Sequence, residues 1–262
     1  MKPHRPRKRF GQHFLQDLQV LDRIVAVIAP RPDQDLVEIG PGEGALTARL
    51  IERCDRLEVI ELDRDLAASL DARLGEPPGL TIHQADALAV DFTALARGRT
   101  LRVVGNLPYN ISTPLLFHLF EHSAVIGDMH FLLQKEVVDR LVAAPGSKQY
   151  GRLSVMTGLR ASASLLFEVP PGAFRPPPKV DSAVVRLVPL PAGEKLLDAL
   201  PMIDQVVRQA FSQRRKTLRN SLRQWFDEPG LKKLEIDPGL RPESLTPDAF
   251  VRLGQELGRR AA

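Results

Sequence analysis

Between residues 36 and 135, short apolar runs alternate with longer stretches in which apolar positions recur three or four apart. Leu36–Gly40, Leu57–Asp63, Leu80–Asp86, Arg102–Asn106 and Met129–Gln134 are strand-like, and the segments between them are helical in period. This alternation predicts a doubly wound α/β fold. Its mostly parallel sheet is covered on both faces and binds ligands outside the carboxyl ends of the strands. Two later runs, Ser164–Val169 and Val180–Val188, flank PPGAFRPPPK, whose five prolines can neither continue a helix nor donate to a ladder. They predict an antiparallel pair at the far side of the sheet. Pro189–Pro201 (PLPAGEKLLDALP) punctuates the chain, and the period beyond it is helical only. The reading divides the chain into an α/β domain over 1–190 and a small C-terminal helical domain over 191–262.

The chain has 262 residues, 44% hydrophobic and 26% charged, enough length and apolar content for that division. Thirty-six Lys+Arg against 32 Asp+Glu leave a net charge of +4, which excludes a highly charged disordered chain. The excess is unevenly placed. Met1–Arg9 holds Lys2, Arg5, Arg7, Lys8 and Arg9 with no acid, and Arg208–Arg223 holds six basic residues with no acid. On one continuous helix, Val207, Phe211, Leu218, Leu222 and Trp225 form a narrow apolar stripe, with Arg208, Arg215, Lys216, Arg219 and Arg223 beside it. Such a face is either a solvated surface or a phosphate contact, and its pairing with the basic arm favours a nucleic-acid partner. The single cysteine, Cys54, cannot form an internal disulfide, and the six histidines fall in no CxxC or HExxH pattern, so no metal is expected. The basic N-terminus leads into no apolar h-region, and no run of about 18 apolar residues follows. A cytoplasmic protein without a membrane span is expected.

LVEIGPGEG (36–44) is a buried strand running into three glycines at alternate positions, ahead of the amphipathic ALTARLIER. Glycines there let the backbone approach a ligand closely at a helix N-terminus. Gly40-x-Gly42-x-x-Ala45 also fits a dinucleotide fingerprint, and a tight turn binding nothing is the plainer alternative. Glu61 ends the next strand about 20 residues on, where a carboxylate accepts both ribose hydroxyls of a nucleoside. Asp63 is an alternative ribose ligand or a helix N-cap. Asp86 ends the third strand and either accepts an adenine amino hydrogen or caps the segment Ala87–Val90. Asn106-Leu107-Pro108-Tyr109 follows the fourth apolar run. An exocyclic amine is a poor nucleophile because its lone pair is conjugated with the ring. The Asn106 amide oxygen and the Pro108 carbonyl, both accepting its hydrogens, would hold it nearer tetrahedral geometry. The Tyr109 ring offers a face on which a flipped-out base stacks.

In order and spacing, GQHFL, VEIGPGEG, VIELD, ADAL, NLPYNIST and FRPPPKVDSAVVRL, with LQKEVVDRL, YGRLSV and AFSQRRKTLRNSL, resemble the ribosomal RNA adenine N6-dimethyltransferases. The resemblance spans nearly the whole chain and is nearest the bacterial small-subunit branch. Macrolide-resistance enzymes acting on large-subunit RNA share the catalytic core, but their tails differ and they tend to carry Ile at the Leu107 position. The resemblance implies a Rossmann-like class I methyltransferase fold and S-adenosylmethionine as cofactor. It implies 16S rRNA within an immature small ribosomal subunit as partner, with two adjacent adenosines near its 3′ end each dimethylated. Residue by residue, it implies that His13 and Leu15 contact the cofactor, Gly40 lines its methionine side, Glu61 holds its ribose and Asp86 its adenine. Asn106 sits at the reacting centre. His13 stands where the family has Asn or His, which points to a main-chain contact rather than an imidazole role. Tyr109 and Phe174 sandwich the target base, Phe174 being carried by the loop Pro170–Lys179. Ordinary loop packing is the alternative for Phe174. A monomer is expected.

Three other functions fit parts of this pattern. A large-subunit RNA methyltransferase of the resistance type differs in which RNA it modifies. A nicotinamide oxidoreductase built on the same glycine loop leaves NLPY without a purpose. A binding protein that recognises immature small subunits has no need of Asn106 and Tyr109 as a pair.

Overall fold

The computed structural model describes residues 13–191, 194–213 and 215–261, so the basic arm Met1–Arg9 and Arg214 lie outside the described residues. The chain forms two compact units. One comprises Met1–Val138 with Ser164–Pro189, the other Asp139–Ala163 with Leu190–Ala262.

The first unit opens with β1 (Phe14–Leu15) and α1 (Leu18–Ile28). The Asp17 carboxylate caps α1 by accepting from the Val20 N–H at 3.1 Å. Leu21, Ile24, Val25 and Ile28 are buried, the spacing of a single helix face against a core. There follow β2 (Asp35–Ile39), α2 (Thr47–Ile51), β3 (Arg56–Glu61), α3 (Arg64–Leu74), β4 (Leu80–Gln84), α4 (Phe92–Ala96), β5 (Leu101–Asn106), α5 (Ser112–Glu121) and β6 (Ile126–Gln134). After α6 (Lys135–Leu141) and α7 (Arg152–Gly158) come β7 (Ala161–Val169), the short β8 (Phe174–Arg175) and β9 (Ser182–Pro189). Seven strands make one sheet in the order β4-β3-β2-β5-β6-β9-β7. The neighbours from β4 to β6 run parallel, and β9 runs antiparallel to β6. Every residue of β2 is buried; because successive side chains point to opposite faces, both faces of the sheet are covered there.

The seven apolar runs predicted as strands are strands, and the two late ones are neighbours at the far edge. The strand order reverses between β3 and β5 on either side of β2, which opens a crevice at the carboxyl ends of β2 and β5. The chains approach closely there: a side chain at Gly105 would collide with the Ile39 carbonyl. The β1 and β8 strands pair antiparallel, Leu15 opposite Phe174, and so zip the N-terminal segment to the proline loop.

The second unit holds α7, α8 (Glu194–Ser212), α9 (Leu218–Ser221), α10 (Glu228–Lys233) and α11 (Pro247–Ala261). A contiguous boundary near 190 assigns 139–163 to the α/β domain, whereas contacts join that segment to the second unit. Tyr150 donates to the Leu245 carbonyl at 2.9 Å, the Gly146 N–H to Glu243 at 2.6 Å, and Arg152 to Asp204 at 2.8 Å. Pro201, read as punctuation, lies inside α8. It is exposed, and Ile203, Val206, Val207 and Ala210 carry the buried stripe past it.

The continuous basic helix over 208–223 is also corrected. α8 ends at Ser212, a turn follows, and α9 is four residues long. The Leu218 and Arg219 N–H groups donate to the Leu240 and Pro238 carbonyls, at 2.8 and 3.1 Å, instead of to the preceding helical turn. Val207, Leu218 and Leu222 are buried as expected. No helix among the described residues is long and apolar enough to cross a membrane, and no cluster of His, Cys, Asp or Glu among them is suited to a metal ion.

Candidate active site

The crevice opens into a cleft lined by the ends of β2, β3 and β5, the segment Ala85–Ala87, and His13, Phe14 and Leu15. Gly40, Gly42 and Gly44 have φ of 70°, 58° and 87°, a left-handed path that glycine takes without steric penalty. A Cβ at Gly42 would stand 3.0 Å from the Phe14 ring, so the N-terminal strand rests directly on the glycine loop.

Glu61 ends β3, 7% exposed, and its two oxygens accept from the Gly42 N–H at 3.1 Å and the Asp63 N–H at 2.9 Å. It therefore ties down the glycine loop besides facing the cleft. Burial raises its carboxyl above the usual carboxylate range, against the pull of those two N–H groups. Asp63 settles as the N-cap of α3, accepting from the Asp65 N–H at 3.0 Å. Asp86 takes the cap role and stands in the cleft wall as well. Oδ1 caps a 3-10 turn over Ala87–Ala89 through the Leu88 N–H at 3.0 Å, and the residue also lines the cleft.

Glu38 has no place in the sequence reading. It lies on β2 two residues before Gly40, is 1% exposed, and its Oε2 has no hydrogen-bond partner among the described residues. Burial, reinforced by the charge of Glu61, pushes its carboxyl up to about 7. The available signal was the acid itself, inside an apolar run that must be covered on both faces. Glu38, Glu43, Glu61, Asp63 and Asp86 all line the cleft, and among the described residues no Lys or Arg does. Such a wall suits a cationic nucleoside and repels a pyrophosphate, which argues against a nicotinamide dinucleotide.

Asn106 ends β5, and its Nδ2 donates to the His13 carbonyl at 2.9 Å. With one amide hydrogen fixed on a group that only accepts, the orientation of the amide is set and its oxygen is left to accept. The Pro108 carbonyl accepts from the Ile111 N–H at 3.2 Å, which holds the NLPY turn and leaves one lone pair. Tyr109 is half-buried in the cleft wall. Its hydroxyl is 2.8 Å from the hydroxyl of Ser182, and its ring stacks on that of His13 at 5.6 Å between centroids. Burial raises the phenol above its ordinary range, so it stays neutral.

Phe174 departs from expectation. It is 2% exposed, belongs to the core cluster around Leu15, Val169 and Ala173, and is absent from the cleft wall. The β1–β8 pairing turns its side chain inward, so packing rather than base stacking is what this geometry assigns it.

The model of the ribosomal RNA adenine dimethylase family matches residues 3–257. Ribosomal RNA small subunit methyltransferase A of Aromatoleum aromaticum is 56% identical over all of this chain and 97% of its own length. Its namesake from Pseudomonas aeruginosa is 54% identical over 97% of this chain and 95% of its own. Among solved structures, a dimethyladenosine transferase from Plasmodium falciparum superposes with a TM-score of 0.80 at 25% identity, covering 95% of this chain and 98% of that one. The 23S rRNA methyltransferase ErmE follows with a TM-score of 0.70 at 27% identity, over 94% and 99%. The glycine loop, the acid-lined cleft and the NLPY turn thus lie in a chain matched almost end to end, which belongs to the ribosomal RNA adenine dimethylase family.

Proposed function

We propose that this chain transfers methyl groups from S-adenosylmethionine to the N6 amines of two adjacent adenosines near the 3′ end of 16S rRNA, within an immature small ribosomal subunit. The observation that carries the reading is an acid-lined cleft that has Asn106, Pro108 and Tyr109 in its wall. S-adenosylmethionine supplies a methyl group on a positively charged sulfonium, so orientation and exclusion of water matter more than a strong base. Gly40 gives the ligand close access to the main chain, Glu61 accepts from the ribose, and the free oxygen of Asp86 accepts from the adenine. Leu15 and His13 close the cleft from the N-terminal side. The buried Glu38 carboxyl is placed for the cationic end of the same ligand. The Asn106 amide oxygen and the second lone pair of Pro108 accept the two hydrogens of the target amine, drawing its nitrogen toward tetrahedral geometry. Because the first product is still an amine, the same site serves a second transfer. Labelled methyl transfer to unmodified small subunits, large subunits and free RNA in parallel tests the reading; label entering large subunits instead points to the resistance-type enzyme.

Tyr109 holds the target base by its face, a contact of roughly 1–3 kcal/mol. Tyr109→Ala is therefore expected to weaken RNA capture, with cofactor affinity unchanged. Tyr109→Phe keeps the face but leaves the fully buried Ser182 hydroxyl without its phenol partner. It should retain most activity and lose about 1 kcal/mol of stability. Filter binding and single-turnover transfer on both variants decide the point, and a Phe variant as inactive as the Ala variant would assign the function to the hydroxyl.

Basic residues of the second unit supply RNA contacts, but fewer than the wheel suggests. Arg208 pairs with Asp204 at 2.9 Å and Arg219 with Glu228 at 3.1 Å. Arg215, Lys216 and Arg223 are exposed and have no acid partner among the described residues. Changing these three to Gln should flatten the slope of log K against log salt by about 2, at roughly 0.7–0.9 per phosphate contact. An unchanged slope returns them to an ordinary solvated surface.

A further inference from the structure

His13 stands where three parts of the cleft meet. Its main-chain carbonyl accepts the Asn106 amide N–H at 2.9 Å. Its ring lies 28° from parallel against that of Tyr109. Its Nδ1 is 2.8 Å from the Pro176 carbonyl oxygen in the proline loop. Because a carbonyl only accepts, Nδ1 is the protonated nitrogen and donates.

A primary amide turned end for end presents an NH₂ where its oxygen should be, and an NH₂ cannot accept a hydrogen from an adenine amine. The His13 carbonyl prevents that turn as long as it stays against Nδ2. What keeps the carbonyl there is local. Residue 13 is held by the β1–β8 pairing on its C-terminal side and by its own side chain on Pro176. The Tyr109 ring gains from the same anchor. The phenol oxygen lies on the axis about which the ring turns, so its bond to Ser182 fixes where the ring ends but not how it is rotated. The imidazole stacked beside it, 5.6 Å between centroids, restricts that rotation from one side.

Resting on the roles given above to Asn106 and Tyr109, we propose that His13 is a positioning residue for methyl transfer. Anchored on Pro176, it holds its own carbonyl against the Asn106 amide, aims the amide oxygen at the target amine, and leaves the opposite face of Tyr109 to the adenine. The side-chain donor is the essential part. Asn offers an N–H from the same distance along the side chain, since His Nδ1 and Asn Nδ2 are both bonded to Cγ; Phe keeps a ring and loses the donor.

Single-turnover transfer at saturating cofactor, cofactor titration and RNA filter binding on His13→Ala, His13→Asn and His13→Phe test this. His13→Ala should lower the transfer rate about tenfold or more with cofactor and RNA affinities close to wild type, the signature of lost orientation. His13→Asn should return the rate to within about threefold of wild type, and His13→Phe should resemble His13→Ala. A wild-type rate in His13→Ala overturns the proposal. So does rescue by Phe but not by Asn, or a defect that disappears at saturating cofactor, which would make His13 a cofactor contact only. Failure of the wild-type protein to modify adenine would instead overturn the functional reading beneath it.

Discussion

Asn106→Ala slows methyl transfer by on the order of 100- to 1000-fold, about 3–4 kcal/mol, while RNA and cofactor affinities stay near wild type. The effect is large because the amide oxygen acts where hydrogen bonding tightens as nitrogen leaves conjugation with the ring, so its loss falls on the transition state. Structure strengthens the expectation: the Nδ2 bond to the His13 carbonyl already sets the orientation of the amide, so its oxygen accepts without reorganising. Asn106→Asp separates acceptor from amide. It keeps an oxygen toward the amine but sets a carboxylate against the His13 carbonyl, and should recover little. Rapid-quench measurement at saturating cofactor reads the step directly, and near-normal transfer by Asn106→Ala would remove Asn106 from the chemistry.

Glu61→Ala weakens S-adenosylmethionine binding by about 1.5–3 kcal/mol, roughly 10- to 150-fold. The substitution also reaches folding. Glu61 accepts from the Gly42 and Asp63 N–H groups, so truncation strands two donors and should lower stability by about 1–3 kcal/mol. Glu61→Gln keeps one acceptor oxygen and should fall between. Cofactor affinity should also depend on pH through Glu38. Its folded value, about 7, lies above the ordinary 4.5. A raised acid favours the folded state at low pH and loses that contribution as pH rises from 4.5 to about 7. A cationic ligand favours the charged carboxylate, so binding should strengthen as pH rises through about 7, and Glu38→Gln should flatten the dependence. Calorimetric titrations across pH check both residues; unchanged affinity in folded Glu61→Ala would remove the ribose contact.

Much of this architecture is written locally. Each strand of the parallel sheet is an apolar run long enough to be read, and Gly40, Glu61, Asp86 and Asn106 converge because each stands at the end of such a run. What periodicity misses is decided by partners far along the chain. The basic helix breaks because Leu240 and Pro238 take N–H groups that a wheel assumes are bonded within the helix. Residues 139–163 join the second unit through Leu245, Glu243 and Asp204, none of them near in sequence. Phe174 turns inward because a two-residue strand pairs with Leu15, too short a strand to leave a pattern. Glu38 is legible in another way: an acid in a run buried on both faces needs a purpose.

The most direct measurement is the identity of the labelled nucleoside. Unmodified small subunits are incubated with the protein and labelled S-adenosylmethionine, and their RNA is digested to nucleosides and separated. The account predicts that the label accumulates as N6,N6-dimethyladenosine, through a transient N6-monomethyl form, and that Asn106→Ala yields almost none. Label recovered in another nucleoside or on a ribose oxygen would contradict it, as would undiminished dimethyladenosine from the Asn106→Ala protein.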